Sequence, residues 1–146
     1  MRLIVLDASV AVKWYLPRQS EPLVDAAFDL LSGHANQEVA FLTPDLFWAE
    51  FGNVMWKSVR QGRLSEQHAR LAISEIRGIE IDVTPSGELL PAAFTIAISN
   101  GRSFYDSVYV ALAIQSGTSL VTADERLANA LGARFPVKWL GSFSAT

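Results

Sequence analysis

Short apolar runs alternate along the chain with segments in which apolar residues recur every three or four positions. The runs are RLIVLD, EVAFL, IEIDV, SLVT and PVKWL, at residues 2–7, 38–42, 79–83, 119–122 and 136–140. Runs of this length, rich in Val, Ile and Leu, are typical of strands buried in a parallel sheet. We therefore expect each of them to form a strand, with helices between.

The segments between these runs have helical periodicity, and turn residues mark most of their ends. They are ASVAVKWYL up to Pro17, EPLVDAAFDLL up to Ser32 and Gly33, Asp45 to about Gln61, Ser65 to Arg77, Gly87 to Asn100, the stretch from Arg102 to Gly117, and Asp124 to Leu131. We expect Thr43 as N-cap and Pro44 at the first helical position of the third helix. Strands that alternate with helices predict an α/β fold, a three-layer sandwich with a central, mostly parallel sheet flanked by helices.

The composition predicts a single domain over residues 1–146. Half of the residues are hydrophobic, and no repeat or linker-like break divides the chain. Cysteine is absent, which excludes disulfides and thiolate metal sites. The apolar run before Asp7 is too short for a signal peptide, and we find no stretch long enough to span a membrane. We expect a soluble, cytoplasmic protein.

Two acidic residues fall where an open α/β sheet usually binds its ligand. Such ligands lie beyond the carboxyl ends of the strands. Asp7 ends the first strand, and Asp124 follows SLVT just before the next helix. Ordinary helix N-capping would also explain either residue, since Asp caps helices well.

Two further acids share a helix face with apolar residues. Asp106, in RSFYDSVYVALA, lies on an apolar stripe with Val110, Ala113 and Ile114. Glu50 lies on a stripe with Leu46, Phe47, Asn53, Val54 and Lys57. A base such as Lys57 could pair with Glu50, and the helix dipole could favour Asp106. Neither explanation covers all four acids together.

Four carboxylates converging at one edge of the sheet would repel one another and raise one another's pKa values. Mg²⁺ or Mn²⁺ would relieve that repulsion, because both ions prefer oxygen ligands. A bound ion of this kind can polarise a phosphoryl oxygen and activate water, which suits phosphodiester hydrolysis. The formal charge of −3 argues against a surface coated with bases.

Other chemistries have less support. His34 and His68 have no partner at metal-ligand spacing, and we take both as solvated. The chain contains no GxSxG, GxxxxGK or GxGxxG motif. An aspartyl-nucleophile phosphatase would need an acid two residues after Asp7, where Ser9 stands.

Four segments, in order along nearly the whole chain, resemble the PIN-domain ribonucleases, in particular the VapC-type toxins of toxin–antitoxin pairs. They are DASVAVKWYLP, PDLFWAEFGNVMW, FYDSVYVALA and LVTADERLA. The resemblance implies that the four acids are catalytic and hold Mg²⁺ or Mn²⁺: Asp7, Glu50, Asp106 and Asp124. It also implies that the hydroxyls of Ser9 and Thr122 support the site, and Asn53 matches a recurrent polar position.

The resemblance further implies an endoribonuclease that hydrolyses RNA with metal-activated water, forms homodimers and is blocked by a cognate VapB-type antitoxin. The apolar segment Phe47–Val59 is compatible with a partner surface, and equally with a fully interior helix. Four bases lie near the acids in sequence and could contact RNA: Lys13, Arg18, Arg102 and Arg126. The alternative is a non-catalytic partner-binding domain that retains the acidic cluster for docking or stability.

Overall fold

The structure, a computed structural model, describes residues 1–144; residues 145–146 of the predicted domain lie outside that range. The strands are β1 Arg2–Leu6, β2 Val39–Pro44, β3 Ile81–Thr84, β4 Ser119–Thr122 and β5 Val137–Trp139. The helices are α1 Ala8–Ala11, α2 Val24–Ala35, α3 Leu46–Arg60, α4 Glu66–Ile76, α5 Ser86–Asn100, α6 Phe104–Gln115 and α7 Glu125–Leu131. Short 3₁₀ turns cover Val12–Trp14, Arg18–Ser20 and Leu140–Ser142.

The five strands form one parallel sheet in the order β3-β2-β1-β4-β5. The chain builds one half of the sheet outward from β1 to β3 and then crosses to β4, on the other side of β1. Neighbouring connections therefore diverge between β1 and β4, which is where ligands of open α/β sheets bind. Leu6 pairs with Val121 in this register, so Asp7 and Thr122 follow side by side.

Alternate residues of the central strand face two separate helical layers. Ile4 and Leu6 pack into the core shared with α1, α2, α3 and α4, whereas Val5 packs into the core formed with α5, α6 and α7. Both faces of the strand are buried, which explains its continuous apolar run. The structure confirms the predicted three-layer α/β fold.

The start of α3 differs from the prediction. Thr43 and Pro44 belong to β2, where Pro44 pairs with Thr84 of β3. The buried Thr43 hydroxyl donates to the carbonyl of Leu6 at 3.0 Å. The helix begins at Leu46 instead. The Thr-Pro signal was misleading because a proline at the end of a strand is as compatible with its geometry as one at the first turn of a helix.

The end of α2 also differs from the prediction. The helix runs through Ser32 and Gly33 to Ala35, and Gly33 is buried. Its carbonyl accepts the N–H of Glu38 at 2.8 Å. The chain turns at Gln37, which has a φ of 62°. A left-handed residue beyond the helix end supplies the stop that the glycine was expected to give.

The apolar segment of α3 is neither fully interior nor fully exposed. Phe47, Phe51 and Met55 face the core, while 55% of Trp56 is exposed. Within residues 1–144, we find no helix with the length and apolar character needed to cross a membrane.

Candidate active site

Asp7 lies where the ends of β1 and β4 meet. Its backbone N–H donates to the carbonyl of Val121 at 3.2 Å and so extends the ladder of the sheet. One carboxylate oxygen accepts the N–H of Ser9 at 3.4 Å and caps α1. The other accepts the hydroxyl of Thr122 at 2.6 Å. Asp7 is therefore both a helix cap and a residue held at the ligand-binding edge.

The hydroxyls of Ser9 and Thr122 hold this edge together. Thr122 is buried, and its Oγ1 accepts the N–H of Asp124 at 3.0 Å while donating to Asp7. Ser9 Oγ accepts the N–H of Ala123 at 3.0 Å and lies 3.4 Å from Thr122 Oγ1. The two hydroxyls thus fix the orientation of the Asp7 carboxylate.

Glu50 approaches the same edge from α3. Its Oε1 accepts the hydroxyl of Tyr109 at 2.7 Å. No ion pair joins Glu50 to Lys57 in the part of the chain that the structure describes, so Lys57 does not neutralise it. The partner is instead a phenol on α6 that is only 2% exposed.

Tyr109 is the residue at this site that our sequence reasoning missed. It lies three positions after Asp106, on the same face of α6, within a buried helix. A buried tyrosine hydroxyl needs a hydrogen-bond partner, whereas phenylalanine would not. That requirement was a usable signal in the sequence.

Asp106 lies in the first turn of α6, at the rim of the site. Its N–H donates to Ser103 Oγ at 3.1 Å, and its carboxylate lies 3.6 Å from the guanidinium of Arg102. Val110 is buried as expected, as is Ala113, but 48% of Ile114 is exposed. The predicted apolar stripe therefore ends before Ile114, because the last turn of α6 reaches solvent.

Asp124 acts as the N-cap of α7. Its Oδ1 accepts the N–H groups of Arg126 and Leu127 at 3.0 and 3.2 Å. Its backbone is tied to the site through Thr122, although its carboxylate is occupied at the helix end. The structure places Asp124 beside the other three acids and does not bring it into contact with them.

Asp7, Glu50 and Asp106 act on one another electrostatically. Burial raises the pKa of Asp7, against the hydrogen bonds from Thr122 and Ser9, and the charge of Asp106 raises it further. Burial also raises the pKa of Glu50 to about 7, with Asp7 and Asp106 adding to the rise against the bond from Tyr109. Asp7 and Glu50 have no basic partner among the described residues that would stabilise their ionised forms, whereas Asp106 has Arg102 beside it.

The donor chemistry of these three acids fits a hard divalent cation, which prefers carboxylate oxygens. Among residues 1–144, no three His, Asp or Glu side chains are already arranged as a cation site. Tyr109 holds Glu50, and Arg102 lies beside Asp106, so each acid has a separate partner. Burial is the main cause of the raised pKa values of Asp7 and Glu50, and a cation would supply the positive charge that these buried carboxylates lack and relieve the repulsion that adds to the rise.

The predicted RNA-contacting bases have different environments. Lys13 is only 6% exposed, and its ammonium lies 2.9 Å from Glu21 Oε2. This ion pair engages the charge of Lys13, and its contact with RNA stays a prediction. The Arg18 side chain is 62% exposed and lies 2.6 Å from Asp25. Arg126 is exposed.

A cavity of about 490 Å³ opens beside Glu50. Leu46, Ala49, Asn53 and Tyr105 complete its lining. Asn53 is exposed there, as is Tyr105. Asn53 thus lies beside Glu50 without a hydrogen bond to the acids among the described residues, and its role at the site stays a prediction.

His34 is half-buried and not fully solvated as we expected. Its ring stacks on Phe41 with centroids 4.2 Å apart, and its Nδ1 lies 2.9 Å from the Val39 carbonyl oxygen. It belongs to the opposite edge of the sheet and has no part in the acidic site.

Comparison with known families agrees with this fold. The sequence profile of the PIN domain matches residues 4–131. The chain therefore belongs to the PIN domain family.

Two similar curated proteins come from Pyrobaculum aerophilum. Ribonuclease VapC3 is 32% identical over 127 residues, covering 86% of this chain and 92% of the relative. Exonuclease VapC9 is 34% identical over 118 residues, covering 73% of this chain and 83% of the relative. This chain is thus a PIN-domain protein of the VapC type.

Solved structures share the fold at lower identity. A Pyrobaculum aerophilum protein superposes with a TM-score of 0.69 at 23% identity, covering 97% of this chain and 85% of that one. Mycobacterium tuberculosis VapC20, described as a sarcin-ricin loop cleaving toxin, superposes with a TM-score of 0.65 at 16% identity. The match covers 90% of this chain and 95% of that one. Rickettsia felis VapBC2, bound to a DNA fragment from its promoter, superposes with a TM-score of 0.64 at 12% identity. The match covers 94% of this chain and 98% of that one.

Proposed function

We propose that this chain is the toxin of a toxin–antitoxin pair, a single-domain cytoplasmic endoribonuclease that requires Mg²⁺ or Mn²⁺. The observation that carries the proposal is the group of three acids at the divergence of β1 and β4. Asp7 and Glu50 have raised pKa values there, which is the condition that a divalent cation would relieve. The ribonuclease named among the relatives supports RNA as the substrate.

The residues of the chain divide the work of the site. The cation would be held by Asp7, Glu50 and Asp106. Asp124 would lie at the border of the site, next to Thr122. A cation held there would supply charge to polarise the scissile phosphate and would lower the pKa of an attacking water. Thr122 and Ser9 keep the Asp7 carboxylate in one orientation. A fixed orientation matters because reacting groups must be held in place before the chemical step.

Cleavage of a circular RNA tests the proposal and separates endonuclease from exonuclease activity. A circle has no ends, so only an endonuclease can open it. We expect linear product with Mn²⁺ or Mg²⁺ and none with EDTA. An enzyme that degrades only the linear form of the same RNA would contradict the endonuclease assignment. A protein inactive on both forms would favour the non-catalytic, partner-binding alternative.

The groove between α3 and α4 supports a short antitoxin segment as partner. Its apolar floor includes Met55, Trp56 and Ile73, and Glu66 and Arg70 line its edge in a cavity of about 270 Å³. An apolar groove with a polar rim suits an amphipathic peptide. We expect Trp56→Ala to weaken binding of the cognate antitoxin by at least about tenfold, as a hot-spot tryptophan would. Equal affinity of the antitoxin for the parent chain and for Trp56→Ala would exclude this groove as the antitoxin site.

An outward-facing stripe on α5 supports homodimer formation. Leu90, Phe94 and Ile98 are 53%, 60% and 71% exposed and follow one another at helical spacing. Stable homodimer interfaces are more apolar than transient ones, which favours this stripe as the self-interface over the groove between α3 and α4, whose rim carries Glu66 and Arg70. Light scattering should report a dimer for the parent chain and a monomer for Phe94→Ser. A dimer in both would place the interface elsewhere.

A further inference from the structure

The hydroxyl of Tyr109 occupies a position that links three parts of the acidic site. The ring is buried in α6, three residues after Asp106, and its hydroxyl donates to Glu50 Oε1 at 2.7 Å. The backbone N–H of Ala8, the residue after Asp7, also interacts with the phenolic oxygen. One side chain therefore connects the acid of α3 to the elements that carry Asp7 and Asp106.

The bond leaves one oxygen of Glu50 free. Tyr109 occupies Oε1, and within residues 1–144 no hydrogen bond is formed to Oε2. Glutamate has three side-chain torsions, and holding it in one conformation opposes considerable rotamer entropy. Without the phenol, no other side chain that the structure describes restrains this carboxylate by a hydrogen bond or an ion pair.

We propose that Tyr109 is a positioning residue that holds Glu50 ready to bind the divalent cation. Its O–H fixes Oε1 and leaves Oε2 as the oxygen available to the cation. The inference rests on the proposed metal-dependent function. It adds a residue to the site that acts through Glu50 and does not itself touch cation or RNA. Groups that orient metal ligands in this way typically contribute 10- to 100-fold to metal affinity or activity.

A purely structural role is the competing explanation. A core tyrosine can bond to any available acceptor, and its loss would then affect only stability. The two roles differ in what Tyr109→Phe changes. The substitution keeps the ring and removes only the hydroxyl, so a structural role predicts lower stability with unchanged cation affinity.

The test is calorimetric titration of Mn²⁺ into the metal-free protein. Tyr109→Phe should bind Mn²⁺ about 10- to 100-fold more weakly than the parent chain. Tyr15→Phe is the matched control, because it removes the same atom from a partly buried tyrosine that packs edge-on against Phe51. This control should keep the parent affinity. Parent affinity in Tyr109→Phe would overturn the proposal.

A double-mutant cycle shows whether Tyr109 acts through Glu50. In a Glu50→Gln background, Tyr109→Phe should weaken Mn²⁺ binding by less than about threefold, because the two groups form one unit. An undiminished effect in that background would overturn the proposal.

Glu50→Asp is a second route should Tyr109→Phe fail to fold. It keeps the charge and Tyr109 but withdraws the carboxylate by one methylene, and we expect a similar loss of Mn²⁺ affinity. Parent affinity in Glu50→Asp would overturn the proposal.

Failure of the inference and failure of the proposed function are distinguishable. A parent chain that neither binds Mn²⁺ nor cleaves RNA would overturn both. A parent chain that does both, together with a Tyr109→Phe variant that equals it, would overturn the positioning role alone.

Discussion

Two clusters of charged side chains in this protein are partly buried, and burial has opposite outcomes in them. In the ion-pair cluster, the Glu21 carboxylate accepts hydrogen bonds from the Lys13 ammonium and the Arg63 guanidinium, each at 2.9 Å. In the acid cluster, Asp7 and Glu50 are close to each other and to Asp106, with hydroxyls as their hydrogen-bond donors. The first cluster is internally neutralised, whereas in the second only Asp106, beside Arg102, has a basic partner among the described residues.

The pKa values express this difference. Burial is the largest influence on Glu21 and would raise its pKa, but the bonds and charges of Lys13 and Arg63 outweigh it and lower the pKa. Burial is also the largest influence on Glu50, and there its pKa rises to about 7. The ion-pair cluster therefore stabilises the fold, and the acid cluster is suited to an external cation.

Neutralising an acid of the acid cluster should abolish cleavage without unfolding the protein. We expect Asp7→Asn and Asp106→Asn each to lower RNA cleavage by at least about 100-fold. Stability should stay within about 1 kcal/mol of the parent, because the amide removes a charge that burial disfavours at Asp7 and keeps the size and shape of the side chain at Asp106. Asp29→Asn, an exposed position on α2, is the control and should cleave normally. Full cleavage activity in both Asp7→Asn and Asp106→Asn would show that the acid cluster is not the site of cleavage.

Neutralising the acid of the ion-pair cluster should do the reverse. Glu21→Gln leaves Lys13 buried without its counter-charge, and the expected loss of unfolding free energy is about 3 kcal/mol. Cleavage at a temperature where the variant is folded should equal that of the parent. Chemical denaturation measures the first quantity. A stability equal to that of the parent would show that Lys13 finds other solvation.

The two clusters should respond to pH in opposite directions in metal-free protein. The pKa of Glu50 is raised in the folded state. Its contribution to the stability of the fold is therefore complete below pH 4.5, the ordinary pKa of glutamate, and is lost as the pH rises toward about 7. Glu21 has a lowered pKa, so its contribution is present above 4.5 and is lost as pH falls through its folded-state pKa.

Unfolding measured in EDTA between about pH 3 and pH 8 separates the two contributions. Stability relative to Glu50→Gln should fall with rising pH, and stability relative to Glu21→Gln should fall with decreasing pH. Parallel curves for the two variants would contradict the electrostatic account.

The fold was predictable because the same sequence patterns mark most of its strands and helices. Each buried strand has a continuous apolar run, and most helices begin or end at a cap or a glycine. The failures were local. Gly33 is buried within α2, and Pro44 ends a strand. In both cases a residue with two common structural uses was assigned the wrong one.

The candidate site was predictable only in part. Strand order brings the residues after β1 and β4 together, so Asp7 could be placed from the pattern alone. The pairing of Glu50 with Tyr109 depends on how α3 packs relative to α6, which periodicity does not report. The burial of Lys13 depends likewise on Glu21, a residue outside every motif we identified.

The most direct test of the central claim is thermal unfolding with and without Mn²⁺. A cation that binds only the folded state at 100 times its dissociation constant adds about 2.7 kcal/mol of stability. We predict such a gain for the parent chain and for Glu21→Gln, and little or none for Asp106→Asn. An equal gain in all three proteins, or no gain in the parent, would show that the acid cluster is not a cation site.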